Sequence, residues 1–306
     1  MVDVCVVGGG PAGLFSAYYC QAHGLKTLLL EADTSLGGRL RLFGHMAIYD
    51  LPGQYGISGA DYLQGLLEQV QRAKVDVLCH QSLIRIEKKS DAFELVTCND
   101  QFHAKTVIMA TGNGFQTPKK LQLVSEEVGR FISYRLNELP KGKLAVAVIG
   151  YNPMALDWSI QLQQAGHEVT LFTQDLHKIQ PILTEQLAQL NVRIQPFELV
   201  SALRLVDSHI AFGEIRFDKA YAHVGVDKQT VKCMPTYKLI DNGLTTVEGL
   251  FVAGDVRNEP GKLKLLLGAA HDAMQAANAA KQYLHPVDYY QPIVSTHHPI
   301  FKEWNK

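Results

Sequence analysis

The sequence predicts an α/β protein in which two separate segments each form a buried strand, a glycine-containing turn and a helix. In the first segment, the β-branched apolar run 2–7 leads directly into the glycine-rich stretch 8–13. In the second, the apolar run 144–149 ends at Gly150 and is followed by helical spacing over 154–165. Apolar runs of this length between turn residues are typical of parallel strands that are buried on both faces.

The first turn has the residues that a dinucleotide site needs. Its glycines follow the spacing G-x-G-x-x-G, Pro11 suits the first helical turn, and Gly24 is placed to end the helix. The next strand, 26–30, stops at Glu31, an acid 21 positions after Gly10. Glycines let the backbone approach a pyrophosphate, the helix N-terminus favours its charge, and the acid accepts from a ribose hydroxyl. Because strand, turn, helix, strand and acid all agree, the sequence predicts a Rossmann-like dinucleotide-binding unit.

Composition and charge set outer limits on the function. The chain has 306 residues, 47% of them hydrophobic and 19% charged, so it can bury a sizeable core. A net charge of −1 gives no electrostatic reason to expect nucleic acid or an anionic membrane as a partner. The five cysteines are scattered and none is spaced C-x-x-C, which favours reduced thiols in the cytoplasm. With no long apolar span and a strand at the start, neither a membrane helix nor a signal peptide is expected.

Between Glu31 and residue 117, loops alternate with short regular elements. Glycine and proline recur over 36–53, which favours loops, and this stretch carries the flat side chains of Phe43 and Tyr49. Those two rings either pack in an ordinary core or cover a planar ring bound beside the first turn. The spacing then predicts a helix over 59–73 and strands over 75–78, 84–88, 93–98 and 105–110.

Several further short motifs, each different, lie at intervals along the chain. The opening turn is joined by Gly37-Gly38, Ala110-Thr111-Gly112 and a late Gly254-Asp255. Together they resemble the flavoproteins with two dinucleotide-binding domains, and among these the thioredoxin-reductase-like type of ferredoxin–NADP⁺ reductase. That family binds FAD in a discontinuous first domain and NADPH in a second domain inserted in the first, which implies residues 1–117 with 246–306, and residues 118–245. The more particular signatures are Ile48-Tyr49-Asp50, Thr111-Gly112-Asn113-Gly114 and Ser295-Thr296.

The same resemblance implies which residues contact FAD. Glu31 would hold the adenosine ribose and Asp255 the ribityl chain, and Phe43 stands where the family has a flavin-stacking tyrosine. Arg39 replaces the usual glutamine, which places an extra positive charge near the pyrophosphate or the flavin. No side chain is required to act as acid, base or nucleophile, and none is assigned to a metal. The implied cofactor contacts are Gly8, Gly10, Pro11, Ala12, Gly13, Glu31, Gly38, Arg39, Leu40, Phe43, Tyr49, Leu83, Gly112, Gly254, Asp255 and Thr296.

The second turn departs from the family pattern. The family reads glycine-glycine-glycine-aspartate-serine where this chain has residues 150–154, so Tyr151 adds bulk and Pro153 removes a backbone N–H group that such a site uses. After the next strand the family carries a basic pair that reads the 2′-phosphate of NADPH, whereas this chain has Thr173-Gln174-Asp175, whose acid would repel that phosphate. Weak or lost NADPH binding is therefore predicted, with NADH escaping only the phosphate penalty. The alternative is that binding is retained elsewhere in the pocket.

The C-terminal part returns to the first domain. A strand over 249–253 ends at Gly254-Asp255, and Gly268 leads into an alanine-rich helix over 269–283. Lys262 and Lys264 precede this helix and are either solvated or in contact with flavin or a partner. In the resembling family the tail, here 286–306, covers the flavin of the partner subunit, which implies a homodimer. The alternative is a mobile tail.

The function expected from the sequence is that of an FAD-dependent oxidoreductase of the ferredoxin–NADP⁺ reductase type. Electrons would pass through a non-covalent FAD to a ferredoxin, a flavodoxin or another acceptor, with weak or lost use of NADP(H) or NAD(H). Two alternatives stay open: a flavin-binding regulatory or scaffold protein, and a flavoenzyme with another donor. A thioredoxin reductase is disfavoured because that activity needs a redox dithiol, and no two cysteines are close in sequence.

Overall fold

The structure, a computed structural model, contains two compact units. One comprises Met1–Phe115 with Gln229–Lys306, and the other comprises Gln116–Lys228. The predicted α/β class and the insertion of one unit in the other are confirmed. The sequence analysis placed the two boundaries between the domains at 117/118 and 245/246. The structure describes residues 1–44, 46–112, 115–122, 124–136, 139–174, 181–229, 237–240, 243–257, 259–286, 293 and 300–303.

The helices and strands follow the predicted order closely. In the described part of the chain, short 3-10 helices at Gly38–Phe43, Phe197–Ala202 and Gly254–Val256 lie among them. In chain order the elements are β1 (Val2–Val7), α1 (Pro11–Ala22), β2 (Thr27–Leu30), β3 (Ala47–Ile48), β4 (Ile57–Ser58), α2 (Gly59–Arg72), β5 (Asp76–Leu78), β6 (Leu83–Lys88), β7 (Phe93–Thr97), β8 (Gln101–Met109), β9 (Phe115–Pro118), α3 (Glu126–Gly129), β10 (Ile132–Ser133), β11 (Ala145–Ile149), α4 (Pro153–Gln164), β12 (Glu168–Thr173), α5 (Pro181–Gln189), β13 (Arg193–Pro196), β14 (Arg204–Val206), β15 (His209–Phe212), β16 (Ile215–Phe217), β17 (Lys219–Ala222), β18 (Val226–Gln229), β19 (Leu250–Val252), α6 (Leu266–Leu284) and α7 (Ile300–Glu303).

The first unit contains a seven-stranded sheet in the order β5-β2-β1-β8-β7-β6, with β19 also on β8. Strands β5, β2, β1, β8 and β19 pair in parallel. The long β8 serves two neighbours on one edge, because its first half pairs antiparallel with β7 and its second half pairs parallel with β19. The carboxyl ends of β2, β1, β8 and β19 therefore meet at one edge of the sheet, which is where ligands of open parallel sheets bind.

Helices α1, α2 and α6 cover one face of this sheet. Small side chains let α1 and α6 approach closely, and Ala17 and Cys20 lie in one buried cluster with Ala276 and Ala280. The opposite face buries Cys5 together with apolar residues of β2, β6, β7 and β8. Burial raises the pKa of both the Cys5 and Cys20 thiols far above its usual range, so neither supplies a thiolate at neutral pH.

The second unit is built on a five-stranded parallel sheet in the order β10-β17-β11-β12-β13. Trp158 of α4 is 1% exposed and packs in the cluster on one face of β11 and β12. The other face buries Phe172 with residues of the antiparallel sheet β14-β15-β16. The turn from β11 into α4 thus has the same strand-to-helix topology as the turn from β1 into α1.

The start of α6 differs from the prediction. The helix begins at Leu266, and Gly268, expected to precede it, lies in its first turn. A Cβ at Gly268 would lie 2.9 Å from the carbonyl oxygen of Leu263, so glycine allows the preceding loop to approach the helix. The predicted start at residue 269 was wrong because this glycine serves close packing rather than helix initiation. No helix among the described residues is both long and apolar enough to cross a membrane.

Gly13→Ala should strongly destabilise the apoprotein. A Cβ at Gly13 would lie 1.7 Å from the carbonyl oxygen of Gly8, and backbone on both sides prevents an easy shift. We expect a loss of about 3 kcal/mol or more in the free energy of unfolding, measured by urea denaturation. Gly65→Ala is the matched control, because Gly65 lies inside α2 with nothing within 4 Å. It should stabilise by about 0.5–1 kcal/mol, and equal effects of the two variants would contradict the close approach at Gly13.

Candidate functional site

The turn between β1 and α1 is closed by contacts that only glycine permits. Gly8 has φ +108°, and a Cβ there would lie 2.5 Å from the carbonyl oxygen of Ala110. Gly13, in the first turn of α1, lies against the Gly8 carbonyl. The N-cap residue Gly10 is extended and no side chain caps the helix. These contacts hold the N-terminus of α1 at the carboxyl edge of the sheet with its backbone N–H groups uncapped by any side chain.

A second backbone segment faces this turn. A Cβ at Gly10 would meet nothing nearer than the Cα of Gly38, at 3.9 Å, and Gly38 has φ +51°. The Gly37 N–H donates to the carbonyl oxygen of Gly9 over 2.7 Å, which fixes the two segments together. Neither Gly10 nor Gly38 carries a side chain over the helix N-terminus. A phosphate group therefore has room to approach backbone N–H groups here.

Glu31 lies directly after β2, as predicted. Glu31 is 9% exposed. Its carboxylate accepts from the N–H of Gly9 over 2.5 Å and from the N–H of Asp33 over 2.8 Å. Each carboxylate oxygen can accept two hydrogen bonds, so the Glu31 side chain retains capacity for ribose hydroxyls. The carboxylate is thus held by the same turn that would hold the adjoining pyrophosphate, which fits the ADP half of a dinucleotide.

The late glycine motif closes the other side of the cradle. Gly254 has φ +78°, and a Cβ there would lie 2.7 Å from the Cβ of Ala12 in the first turn of α1. Asp255 follows it and is half-buried in the 3-10 helix Gly254–Val256. Gly112, with φ +59°, comes just after β8, which pairs with both β1 and β19. The structure therefore brings the predicted residues Gly8, Gly10, Pro11, Ala12, Gly13, Glu31, Gly38, Gly112, Gly254 and Asp255 to one edge of the sheet.

The 3-10 helix Gly38–Phe43 divides its predicted residues between core and surface. Leu40 is buried, Arg39 is exposed and Phe43 is half-buried. Tyr49 is 64% exposed and its ring lies 5.2 Å from the ring of Tyr55. Tyr49 is thus a surface residue, so the core interpretation of this ring does not hold.

One further predicted contact, Leu83, does not join the group. The Leu83 side chain packs against the cluster on the face of the sheet opposite α1. Its segment nonetheless runs beside the ribose end, because the N–H of Gln81 donates to the carbonyl oxygen of Glu31 over 2.8 Å. Thr296 lies outside the described residues.

A buried charge cluster beneath the Gly254 turn escaped the sequence analysis. Asp272 of α6 is 1% exposed and accepts from the N–H of Gly254 over 3.0 Å and from Arg257 over 3.1 Å. Lys262 also contacts its carboxylate. The signal was present, because Asp272 precedes Ala276 and Ala280 by four and eight positions and so places an acid on the buried stripe of the helix.

In the second unit the corresponding turn is capped by its own side chains. Asn152 is the N-cap of α4, and its Oδ1 accepts from the N–H of Ala155 over 3.1 Å. Its Nδ2 donates to the carbonyl oxygen of His223 over 2.7 Å, and the His223 Nδ1 lies 3.0 Å from Asn152 Oδ1. Pro153 is the first residue of the helix and has no N–H. Two backbone donors that would face a pyrophosphate are thus lost. The N–H of Ala155 is already bonded to Asn152, and Pro153 has no N–H.

Tyr151 also occupies this turn. Its ring packs edge-to-face on Phe197 with centroids 5.1 Å apart, and its hydroxyl donates to the carbonyl oxygen of Val224 over 3.4 Å. Gly150 before it is required, since a Cβ there would lie 2.3 Å from the carbonyl oxygen of His223. The predicted repelling acid, Asp175, lies outside the described residues.

Comparisons with known proteins agree with this geometry. The sequence profile described as pyridine nucleotide-disulphide oxidoreductase matches residues 2–282. The chain is 30% identical to ferredoxin–NADP reductase 1 of Bacillus licheniformis over 338 aligned positions, covering 100% of this chain and 96% of the relative. Ferredoxin–NADP reductase 1 of Lysinibacillus sphaericus is 29% identical with the same coverage.

A solved structure shares the fold. The thioredoxin reductase of Lactococcus lactis superposes with a TM-score of 0.70 at 23% identity, covering 94% of this chain and 100% of that chain. At this identity the likeness speaks for the architecture of the two units and not for the reaction. It agrees with the fold class that the two strand–turn–helix segments predicted.

Glu31→Ala should weaken FAD binding by about 1–3 kcal/mol, because it removes the ribose acceptor and leaves the buried N–H of Gly9 and the half-buried N–H of Asp33 without their carboxylate partner. The dissociation constant is measured by titrating apoprotein with FAD and following quenching of flavin fluorescence. Glu68→Ala, which removes an exposed acid of α2, is the control and should leave the constant unchanged. An unchanged affinity in Glu31→Ala would contradict the assignment of this ribose contact.

Proposed function

The chain belongs to the pyridine nucleotide-disulphide oxidoreductase family, and from this premise we propose that it passes electrons through a non-covalent FAD to a small redox protein, with weak or lost use of NADPH. Its class is that of an FAD-dependent oxidoreductase related to ferredoxin–NADP reductase. The acceptor and the reduced role of NADPH are the proposed parts. They rest on the names of the relatives and on the geometry of the second turn, respectively.

The first unit offers a cradle that fits FAD. The backbone of Gly8–Gly13 would receive the pyrophosphate, Glu31 would orient the adenosine ribose, and the Gly254-Asp255 turn would receive the half that carries the flavin. When bound, FAD supplies the redox chemistry, while the protein binds, orients and shields it. The chain needs no acid, base or nucleophile of its own for this task.

The self-capped turn of the second unit is the observation that carries the NADPH proposal. In a pyrophosphate site the N-terminal N–H groups of the helix point at the ligand, but here Asn152 takes one of them and Pro153 lacks another. An entering pyrophosphate must displace Asn152 from both Ala155 and His223, and it meets the Tyr151 ring in the same turn. Each loss weakens binding by roughly 1–3 kcal/mol, and NADH is subject to the same losses.

The acceptor proposal follows the relatives. Both curated relatives carry the words ferredoxin and NADP in their names, so we expect a ferredoxin or a flavodoxin to take the electrons. The cytoplasmic location expected from the cysteine pattern is part of the same proposal. If a compound other than NADPH or NADH reduces the chain instead, we expect it to reduce the same flavin site.

Anaerobic stopped-flow mixing with NADPH and with NADH tests the donor. Bleaching of the flavin absorbance should be slow or absent with both, and NADH should be no worse than NADPH. The variant Tyr151→Gly/Asn152→Gly/Pro153→Asp/Met154→Ser restores the turn of the resembling family. It should lower the apparent dissociation constant for NADH by about tenfold or more, since a gain of about 1.4 kcal/mol is sufficient.

The controls separate the possible outcomes. Chemical reduction by dithionite establishes that the bound flavin is redox-active in both proteins. Fast, saturable reduction of the wild-type protein with a strong preference for NADPH would overturn the proposal of a weak donor site. If the reduced flavin of the wild-type protein passes no electrons to ferredoxin or flavodoxin, that result would favour the alternative function of a flavin-binding regulatory protein.

The proposed assembly is a homodimer, and the described tail residues bear on it. Tyr19 of α1 donates its hydroxyl hydrogen bond to the carbonyl oxygen of Ile293 over 3.0 Å. The rings of Tyr18 and Phe301 lie 6.3 Å apart. These parts of the tail are therefore anchored on α1 of their own chain, so a tail that reaches a partner must do so from this anchor.

Tyr19→Phe should destabilise the holoprotein by about 1 kcal/mol, because it removes the hydrogen bond that anchors the tail. Thermal melting followed by flavin fluorescence measures this loss. Tyr55→Phe, at a residue that is 86% exposed, is the matched control and should melt like the wild type.

Removal of residues 287–306 should lower the melting temperature further and weaken the dimer, as followed by light scattering. A wild-type protein that scatters as a monomer would contradict the homodimer.

A further inference from the structure

The Gly254-Asp255 turn is attached to α6 at both of its ends. At the first end, the N–H of Gly254 donates to Asp272 Oδ2 over 3.0 Å. At the other end, Arg257 donates from Nη1 to Asp272 Oδ1 over 3.1 Å. One carboxylate thus holds the residues before and after the half-buried Asp255, and it does so from an element that is itself packed on α1.

Apart from the N–H of Ala253, which donates to the carbonyl oxygen of Met109 over 3.0 Å, the described backbone bonds do not tie this turn to the sheet. Gly254–Val256 is a single turn of 3-10 helix whose N-cap residue, Ala253, makes no side-chain cap. Gly254 has φ +78°, and glycine adopts positive and negative φ about equally readily, so its own preference does not fix this conformation. The backbone bond from the Arg257 N–H to the Gly254 carbonyl oxygen, 2.9 Å, lies within the turn and does not fix its place on the sheet.

The cluster is deeply buried and highly charged. The side chains of Asp272, Arg257 and Lys262 are 2%, 10% and 10% exposed. Lys262 contacts the same carboxylate and so ties the loop before α6 to the cluster, while Arg257 also pairs with Glu259 at 2.8 Å. A buried ion pair adds little net stability over apolar side chains of similar volume, yet it fixes geometry, because removing one member leaves the others charged and unpaired.

The strand order decides which half of a dinucleotide this turn serves. Glu31 follows β2 and Gly254 follows β19, and these strands are separated by β1 and β8. Three strand spacings of about 4.8 Å place the two residues roughly 14 Å apart along the sheet edge. The pyrophosphate turn after β1 lies between them, so the ADP half extends towards Glu31 and the flavin half towards Gly254.

We propose that Asp272 is a positioning residue for the flavin half of the cofactor: by holding both ends of the Gly254-Asp255 turn it sets the place of Asp255, and it leaves the ADP half unaffected. The proposal rests on FAD as the cofactor. It predicts that loss of the Asp272 charge weakens binding of FAD and leaves binding of ADP unchanged, a separation that a general structural role does not produce.

The test compares FAD and ADP binding to the apoprotein. In Asp272→Asn the side chain keeps its size but leaves Arg257 and Lys262 without their carboxylate, so the dissociation constant for FAD should rise roughly 10- to 100-fold. The constant for ADP, measured by calorimetry, should change less than about twofold. Bound flavin should also lose fine structure in its visible absorption band. Asp91→Asn, at an exposed acid of the β6–β7 hairpin, is the matched control.

A second variant covers the case in which Asp272→Asn does not fold. Lys262→Met keeps the bonds from Gly254 and Arg257 to Asp272, and it should raise the FAD constant in the same sense by a smaller factor. Adding Lys262→Met to Asp272→Asn should recover part of the lost FAD affinity, because it removes one unpaired cation. Parallel losses of FAD and ADP affinity, or an unchanged FAD constant in both single variants, would overturn the role of Asp272. Wild-type protein that binds ADP as tightly as FAD would instead overturn the cofactor assignment, and this proposal with it.

Discussion

The close approach of Gly13 to the carbonyl oxygen of Gly8 is the constraint on which the first unit depends. It sets the distance between α1 and the carboxyl edge of the sheet, and that distance places the helix N-terminus beside Gly38 and the Gly254 turn. Glu31 is coupled to the same turn, since its carboxylate accepts from Gly9. A single backbone contact thus fixes the positions of the Gly8–Gly13 turn, Glu31 and the Gly254 turn relative to the first turn of α1. We propose that these three hold the pyrophosphate, ribose and flavin ends of FAD.

The two units show how the same topology can be kept while its chemistry is changed. Both place a glycine where a Cβ would strike backbone, Gly8 after β1 and Gly150 after β11. Packing therefore selects these glycines whether or not a ligand binds. The difference lies in the next residues: Gly10 leaves the helix N-terminus without a side-chain cap, whereas Asn152 caps its helix and is itself held by His223. In the second unit, therefore, a side chain of the protein already accepts from one of the first N–H groups of the helix, that of Ala155.

Local patterns predicted most of the fold, because buried parallel strands and glycine turns leave strong signals in sequence. The start of α6 was misplaced, since Gly268 is required by the close approach of Leu263 and the sequence does not distinguish that need from helix termination. In the candidate site, Glu31 and the glycines lie at one edge of the sheet as predicted, because the motif that places them there is local in sequence. Asp272 was missed because its partners, Gly254 and Arg257, lie on another element. The exposure of the Tyr49 ring could not be predicted from the sequence either, since burial depends on the whole fold.

The same cluster explains why an acid persists within the buried stripe of an alanine-rich helix. Asp272 lies in the second turn of α6, beyond the reach of the helix dipole, so its charge depends on the side chains and backbone around it. Its three donors satisfy the charge, so its burial costs less than that of an isolated carboxylate. An alanine at this position would leave Arg257 and Lys262 buried without their carboxylate and would release the Gly254 turn from α6. The buried stripe therefore contains one polar position, at the place where the helix meets the turn that carries Asp255.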